Sequence, residues 1–243
     1  MLADATLWAW IGAVGMIAGT LPSLWLWYRR PSEWAYFATL GGVTGIAALA
    51  YVAMGFDVGN VATAGGVLPV ARYADWLLTT PLLILYLALL AQPSRQVIVA
   101  LIAVDIVVIA GGIVAVVTAG FLSWAAFGVA TLAYVGLVYG LLAVLPKSAA
   151  SQPDRVRAVF GTLRNITVVL WTLYPVVWLL APTGLGLLTV STEMLVFVYL
   201  DFVSKVGFAV VAVASADAIR YVDTPVDGDR PAATTEAAAL GDD

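Results

Sequence analysis

The chain has 243 residues, 63% of them hydrophobic and only 11% charged, with a mean hydropathy of +1.00. Soluble domains carry roughly 45–50% apolar and about 25% charged residues, so a soluble protein is excluded and length becomes a count of membrane spans of about 20 residues each. Cys and His are absent and the net charge is −4; disulfides, thiolate or imidazole metal sites and Cys or His catalysis are thereby excluded, while an acidic, cysteine-free chain fits a halophile.

The first span is expected over residues 3–29, closing on Tyr28, Arg29, Arg30 and Pro31. It has no basic leader and its apolar stretch is too long for a secretion signal, so it is read as a retained helix. The second span, 33–55, carries Gly41, Gly42, Gly45, Ala47 and Ala48, small residues that let helices approach closely. Residues 56–69 place Gly65-Gly66 between β-branched flanks and are read as a short β-hairpin. The third span is expected over 70–91, the fourth over 95–118, and the fifth over 121–146, stopped by Pro146-Lys147. The sixth covers 153–181 and the seventh 188–220, and the short connections before the fifth and seventh force antiparallel neighbours. The fold expected is an all-α bundle of seven transmembrane helices, residues 1–221, with a β-hairpin between the second and third. Residues 222–243 are polar, acidic and poor in aromatics, and are read as a disordered tail.

Basic residues orient the bundle. Arg29, Arg30, Arg95, Lys147, Arg155, Arg157 and Arg220 flank the connections after the first, third, fifth and seventh spans, whereas the other connections hold no Lys or Arg. The positive-inside rule then places the N-terminus outside the cell membrane and the C-terminus, with the tail, in the cytoplasm.

Arg72, Asp75, Asp105, Asp201 and Lys205 lie at membrane depth. Each costs about 2.5–3.5 kcal/mol at a helix centre on insertion scales, which makes each a candidate for function, although buried polar groups also serve as plain helix–helix glue. Asp201 and Lys205, four apart, share a helix face, and a desolvated neutral amine condenses with aldehydes. Arg72, Asp75 and Thr79 likewise share one face of the third span, so that Arg72, two carboxylates and a cationic nitrogen on Lys205 sum to zero charge in a dry site. Asp105 has no charge partner close in sequence and is read as hydrogen-bonded rather than ion-paired. On the sixth span Trp171, Tyr174, Pro175 and Trp178 form a stripe at helical spacing. Such a stripe alone is more often packing than a cofactor wall, but beside a buried lysine, and with Trp76 and Phe127, it suits a long planar polyene. Pro175 removes one backbone hydrogen bond and offers a hinge.

The strings ARYADWLLTTPLL (71–83), LRNITVVLWTLYPVVWLL (163–180) and VYLDFVSKVGFA (198–209) resemble haloarchaeal rhodopsins. The resemblance covers all seven spans and implies a light receptor rather than an enzyme, with all-trans retinal held on Lys205 as a Schiff base. It further implies Asp75 as counterion and proton acceptor, Asp201 as second counterion, Arg72 as a gating arginine on the extracellular side, and Trp76, Thr79, Trp171, Tyr174 and Trp178 as the pocket, to which the aromatic wall read above adds Phe127. No metal and no nucleic acid enter this picture, and membrane lipid is the surrounding solvent.

Within that family, Asp75 is unlike the small hydroxyl residue that chloride pumps carry there. Proton pumps carry a carboxylate eleven residues further on, about three helical turns toward the cytoplasm, where this chain has Tyr86. A phenol, with a reference pKa of about 10, donates protons poorly at neutral pH, which suits a long-lived signalling state. Pumps also pair two glutamates at the outer mouth, whereas here Glu193 stands with Thr183. Both departures resemble the sensory rhodopsin II (phoborhodopsin) group. That resemblance implies a phototaxis receptor, a transducer with two transmembrane helices as partner, contacts to it from Thr189 and Tyr199, and Ser204 in passing the signal. A light-driven outward proton pump, a middle rhodopsin between the two groups, and a retinal-free membrane scaffold are the alternatives, and self-association is left open.

Overall fold

The computed structural model describes residues 2–222, with side chains from residue 5 onward. The acidic tail expected from the sequence lies, past Val222, outside the described residues. Seven helices among them are long and apolar enough to cross a membrane. They are α1 (Leu2–Arg29), α2 (Trp34–Gly55), α3 (Val70–Ala91), α4 (Arg95–Val117), the fifth span α5 (Phe121–Tyr139) with α6 (Leu145–Ala149), α7 (Asp154–Leu180), and the seventh span α8 (Val190–Asp201) with α9 (Phe208–Ala214). Neighbours in sequence pack side by side, and α8 and α9 close the ring against α1. The apolar residues that satisfy lipid cover the outside, while the few polar ones are turned inward, as a bilayer requires.

The expected hairpin is present, β1 (Asn60–Thr63) pairing antiparallel with β2 (Gly66–Pro69). The Thr63 hydroxyl closes the turn on Gly66 O at 2.7 Å, and its contact with Val116 O at 3.2 Å seats the hairpin on the end of α4. A Cβ on Gly65 would sit 2.0 Å from Thr118 O, so only glycine lets the turn approach this closely. This hairpin end of the bundle opposes a basic end, where the turns after α1, α3 and α6 lie.

Two helix details depart from the sequence expectation. The fifth span does not stop at Pro146: a π-helical segment, Gly140–Val144, precedes the proline and the helix resumes through Ala149. Pro146 lacks the N–H for a regular helical bond and its ring collides with the carbonyl four residues back; the wider π turn accommodates both. The seventh span is likewise not one uniform helix. A π segment, Phe202–Gly207, surrounds Lys205, and the span ends in a 3-10 turn, Ala216–Tyr221.

Candidate functional site

The site is built where α3 and the seventh span face each other. Asp75 and Thr79 are turned inward from α3 and Asp201, Ser204 and Lys205 from the seventh span, all of them buried. The Lys205 ammonium donates a hydrogen bond to Asp75 Oδ2 and lies 3.6 Å from Asp201 Oδ1. Both acids and the amine are sealed from solvent, so their mutual attraction is little screened.

Each carboxylate has its own supporting donors. Thr79 Oγ1 donates to the Asp75 backbone carbonyl at 2.8 Å and lies 3.3 Å from its Oδ1. Asp201 accepts from three residues on three other helices: Tyr51 Oη at 2.7 Å on one oxygen, and Tyr174 Oη at 2.6 Å and Trp76 Nε1 at 3.3 Å on the other. Charge-assisted bonds of this kind are the strong ones, and they compensate the cost of burying a carboxylate. Tyr51 did not stand out in the sequence, since a single tyrosine among the small residues of the second span carries no signature there.

Arg72 sits differently from the sequence expectation of an arginine surrounding the amine with the two acids. It is buried, but among the described residues its ion pair is with Glu193, at 3.9 Å, and its guanidinium lies 4.7 Å from the ring centroid of Phe197 with Met194 beside it. From the first turn of α3 its long side chain reaches toward the hairpin end, away from Lys205. The two acids are therefore met by the amine and by hydroxyl and indole donors, and Arg72 by Glu193.

A cavity of about 110 Å3 opens beside the amine. Lys205, Asp201 and Ser204 line it, together with Trp76, Phe127, Trp171, Tyr174, Pro175 and Trp178. Phe127 and Trp178 stack with centroids 4.1 Å apart, while Trp76 meets Tyr174 edge-on at 5.2 Å. Donors and charge gather around the amine, and apart from Thr80, Asp105 and Thr131 the remaining wall is mainly aromatic and aliphatic. That division fits retinal, a polyene with a single reactive carbonyl carbon, attached at Lys205. Asp105 also faces the cavity, its Oδ2 accepting from Thr80 Oγ1 at 2.7 Å, a hydrogen bond rather than an ion pair. Thr80 was another residue the sequence did not single out.

The three residues singled out for signalling separate. Ser204 belongs to the interior, 3.4 Å from the Tyr174 hydroxyl. Tyr199 is 63% exposed on the outer face of α8. Thr189 lies at the surface as the N-cap of α8, its Oγ1 accepting from Thr192 N at 3.1 Å, a structural task sufficient to explain a threonine there.

The model of the bacteriorhodopsin-like protein family matches residues 4–219. A sensory rhodopsin-2 of Halobacterium salinarum is 48% identical over 88% of this chain and 90% of its own, and that of Natronomonas pharaonis 40% identical over 87% and 89%. Among solved structures, thermophilic rhodopsin from Rubrobacter xylanophilus is similar with a TM-score of 0.86 and 38% identity, covering 90% of this chain and 98% of its own. With the seven-helix ring and the buried amine already in view, these matches establish that the chain belongs to the bacteriorhodopsin-like family.

Proposed function

We propose that the protein is a photoreceptor for phototaxis in the cell membrane, in which Lys205 carries all-trans retinal as a Schiff base and the signal passes to a transducer with two transmembrane helices. Family membership implies a retinal chromophore, and the similarity to sensory rhodopsin-2 supports a sensory role. The observation that carries the reading is the Lys205 amine, buried between Asp75 and Asp201 on the wall of an aromatic cavity. The loop arginines and lysine support an orientation with the basic end in the cytoplasm.

Retinal supplies the absorption of visible light and an isomerisation that displaces its point of attachment. The chain supplies the rest. Asp75 Oδ2, already in contact with Lys205 Nζ, takes the proton from that nitrogen, and Thr79 steadies the opposite oxygen. Asp201, fixed by Tyr51, Tyr174 and Trp76, remains the stationary negative charge. Once the ion pair with Asp75 is cancelled, Ser204 and Tyr174 sit where α7 and the seventh span can shift against each other. Tyr199, exposed on the outside of the moving span, is available to a partner helix, and Thr189 caps the N-terminal end of the same span.

An outward proton pump is less well supported. Tyr86 is wholly buried among apolar side chains where a pump needs an acid, so return of the proton is slow and flux is small. Vesicles holding the retinal-loaded protein alone, illuminated without azide or another proton carrier, are expected to transport protons weakly. Vigorous transport under those conditions would overturn the sensory reading.

A further inference from the structure

On the cytoplasmic side of Lys205 the interior is almost entirely hydrocarbon, yet it contains polar atoms with no hydrogen-bond partner. The hydroxyl of Tyr86 is one; at the mouth of this interior, on side chains 14% and 22% exposed, Glu33 Oε2 and Arg30 Nη1 face each other across 3.6 Å, each without a hydrogen bond. Tyr36 links the two places. Its ring meets that of Tyr86 edge-on at 5.9 Å, its hydroxyl donates to Leu89 O at 2.9 Å, and Glu33 stands three residues before it in the chain. On its inner side Tyr86 packs against Phe208, three residues along the seventh span from Lys205, with ring centroids 5.5 Å apart. Orphaned polar atoms in a dry interior are costly, and ordered water is the usual remedy, as it is for an ion pair held just beyond bonding distance.

We propose that buried water joins Glu33 to the Tyr86 hydroxyl, and that Glu33 is the point through which a cytoplasmic proton reaches the Lys205 nitrogen after light has removed it. The proposal rests on the reading of Lys205 given above. In it Glu33 takes a proton from the cytoplasm and passes one to the water; the Tyr86 hydroxyl accepts one proton as it donates another and ends unchanged; water admitted past Phe208 while Nζ is deprotonated carries that proton across the apolar layer to Nζ. Arg30 and Arg220, the latter with Nε 3.4 Å from Glu33 Oε1, hold the carboxylate at the mouth, and Asp217 in turn holds Arg30 at 2.8 Å. The sequence pattern that marks proton pumps, a carboxylate on the third span, is here replaced by one at the start of the second, reached through water.

The test combines flash spectroscopy of the retinal-loaded protein with crystallographic location of water. Glu33→Gln is expected to slow recovery of the deprotonated species at least about tenfold, Glu33→Asp to restore most of the rate, and azide to bypass the loss. Tyr86→Phe should slow recovery as well, and Arg155→Gln, at the same end but on α7, should not. A water within hydrogen-bonding distance of Tyr86 Oη, present with or without retinal, is the independent readout. Recovery unchanged in Glu33→Gln, or a dry Tyr86 hydroxyl, overturns the inference. A wild-type protein that takes up no retinal, or never deprotonates in light, would instead defeat the function proposed for Lys205.

Discussion

The two halves of the bundle interior on either side of Lys205 are built on opposite principles. Toward the hairpin end, Asp75, Trp76 and Thr79 of α3, Asp201 of α8, Tyr51 of α2 and Tyr174 of α7 come together, with nearly every polar atom bonded to another. Toward the basic end, α3 turns Leu83, Ile84, Leu87 and Leu90 into a cluster with Leu101, Leu137, Leu141, Leu163 and Phe208, in which Tyr86 is the polar exception on α3. In the function proposed, a proton leaving Lys205 would find Asp75 already in contact on one side and hydrocarbon on the other. The difference teaches that departure is prepared and return is obstructed, which is the asymmetry of a switch rather than of a turnover machine.

That contrast can be broken most completely at the amine. Lys205→Ala removes the attachment point, and an absorption spectrum after addition of retinal is expected to show no visible pigment; a coloured variant would remove the basis for both halves. Asp75→Asn strikes the prepared side. With the counterion's charge gone the band should move to the red and light should no longer produce a deprotonated state, whereas an unchanged or blue-shifted band would deny Asp75 its role. Tyr86→Asp strikes the obstructed side, and flash spectroscopy should show reprotonation faster by about tenfold or more; an unaltered photocycle would show that this position is off the path.

Smaller effects sharpen the picture. Tyr51→Phe leaves Asp201 with one donor fewer, and chemical denaturation of the pigment is expected to report a loss of about 1–3 kcal/mol. No loss would mean that the Tyr51 bond contributes nothing net. Gly65→Ala forces a methyl against the Thr118 carbonyl, so the hairpin should lift from α4 at a cost of about 1–3 kcal/mol, visible as a lower melting temperature with the colour unchanged. A shift in the absorption band would instead tie the hairpin to the chromophore site.

Much of this molecule is legible in its sequence because a bilayer leaves few choices. Seven apolar runs became seven spans, and the ends of the third, Val70 and Ala91, agree with the expected 70–91 because Pro69 and the left-handed Gln92 punctuate them sharply. The inward faces of α3 and the seventh span were equally readable, since five ionisable groups in hydrocarbon have nowhere to go but inside. The features with no local signature share a physical cause. Tyr51 and Thr80 are ordinary residues whose partners, Asp201 and Asp105, come from distant parts of the chain, and nothing local marks them. The π segment at Lys205 is also invisible in composition, because only Gly207 interrupts its run of ordinary helix formers. Charge balance puts Arg72 beside the acids and the family resemblance puts it on the extracellular side; its ion pair is with Glu193 on α8, toward the hairpin end. Pro146 reads as a stop in the sequence, but a π turn lets the helix continue.

The chain contains two lysines, Lys147 and Lys205, which allows a direct experiment. Borohydride reduction of the illuminated, retinal-loaded protein converts any imine to a stable amine, and peptide mass mapping then locates it. The account predicts a retinyl group on the peptide carrying Lys205 and none on Lys147. Modification at Lys147, or at neither lysine in a coloured protein, would contradict it.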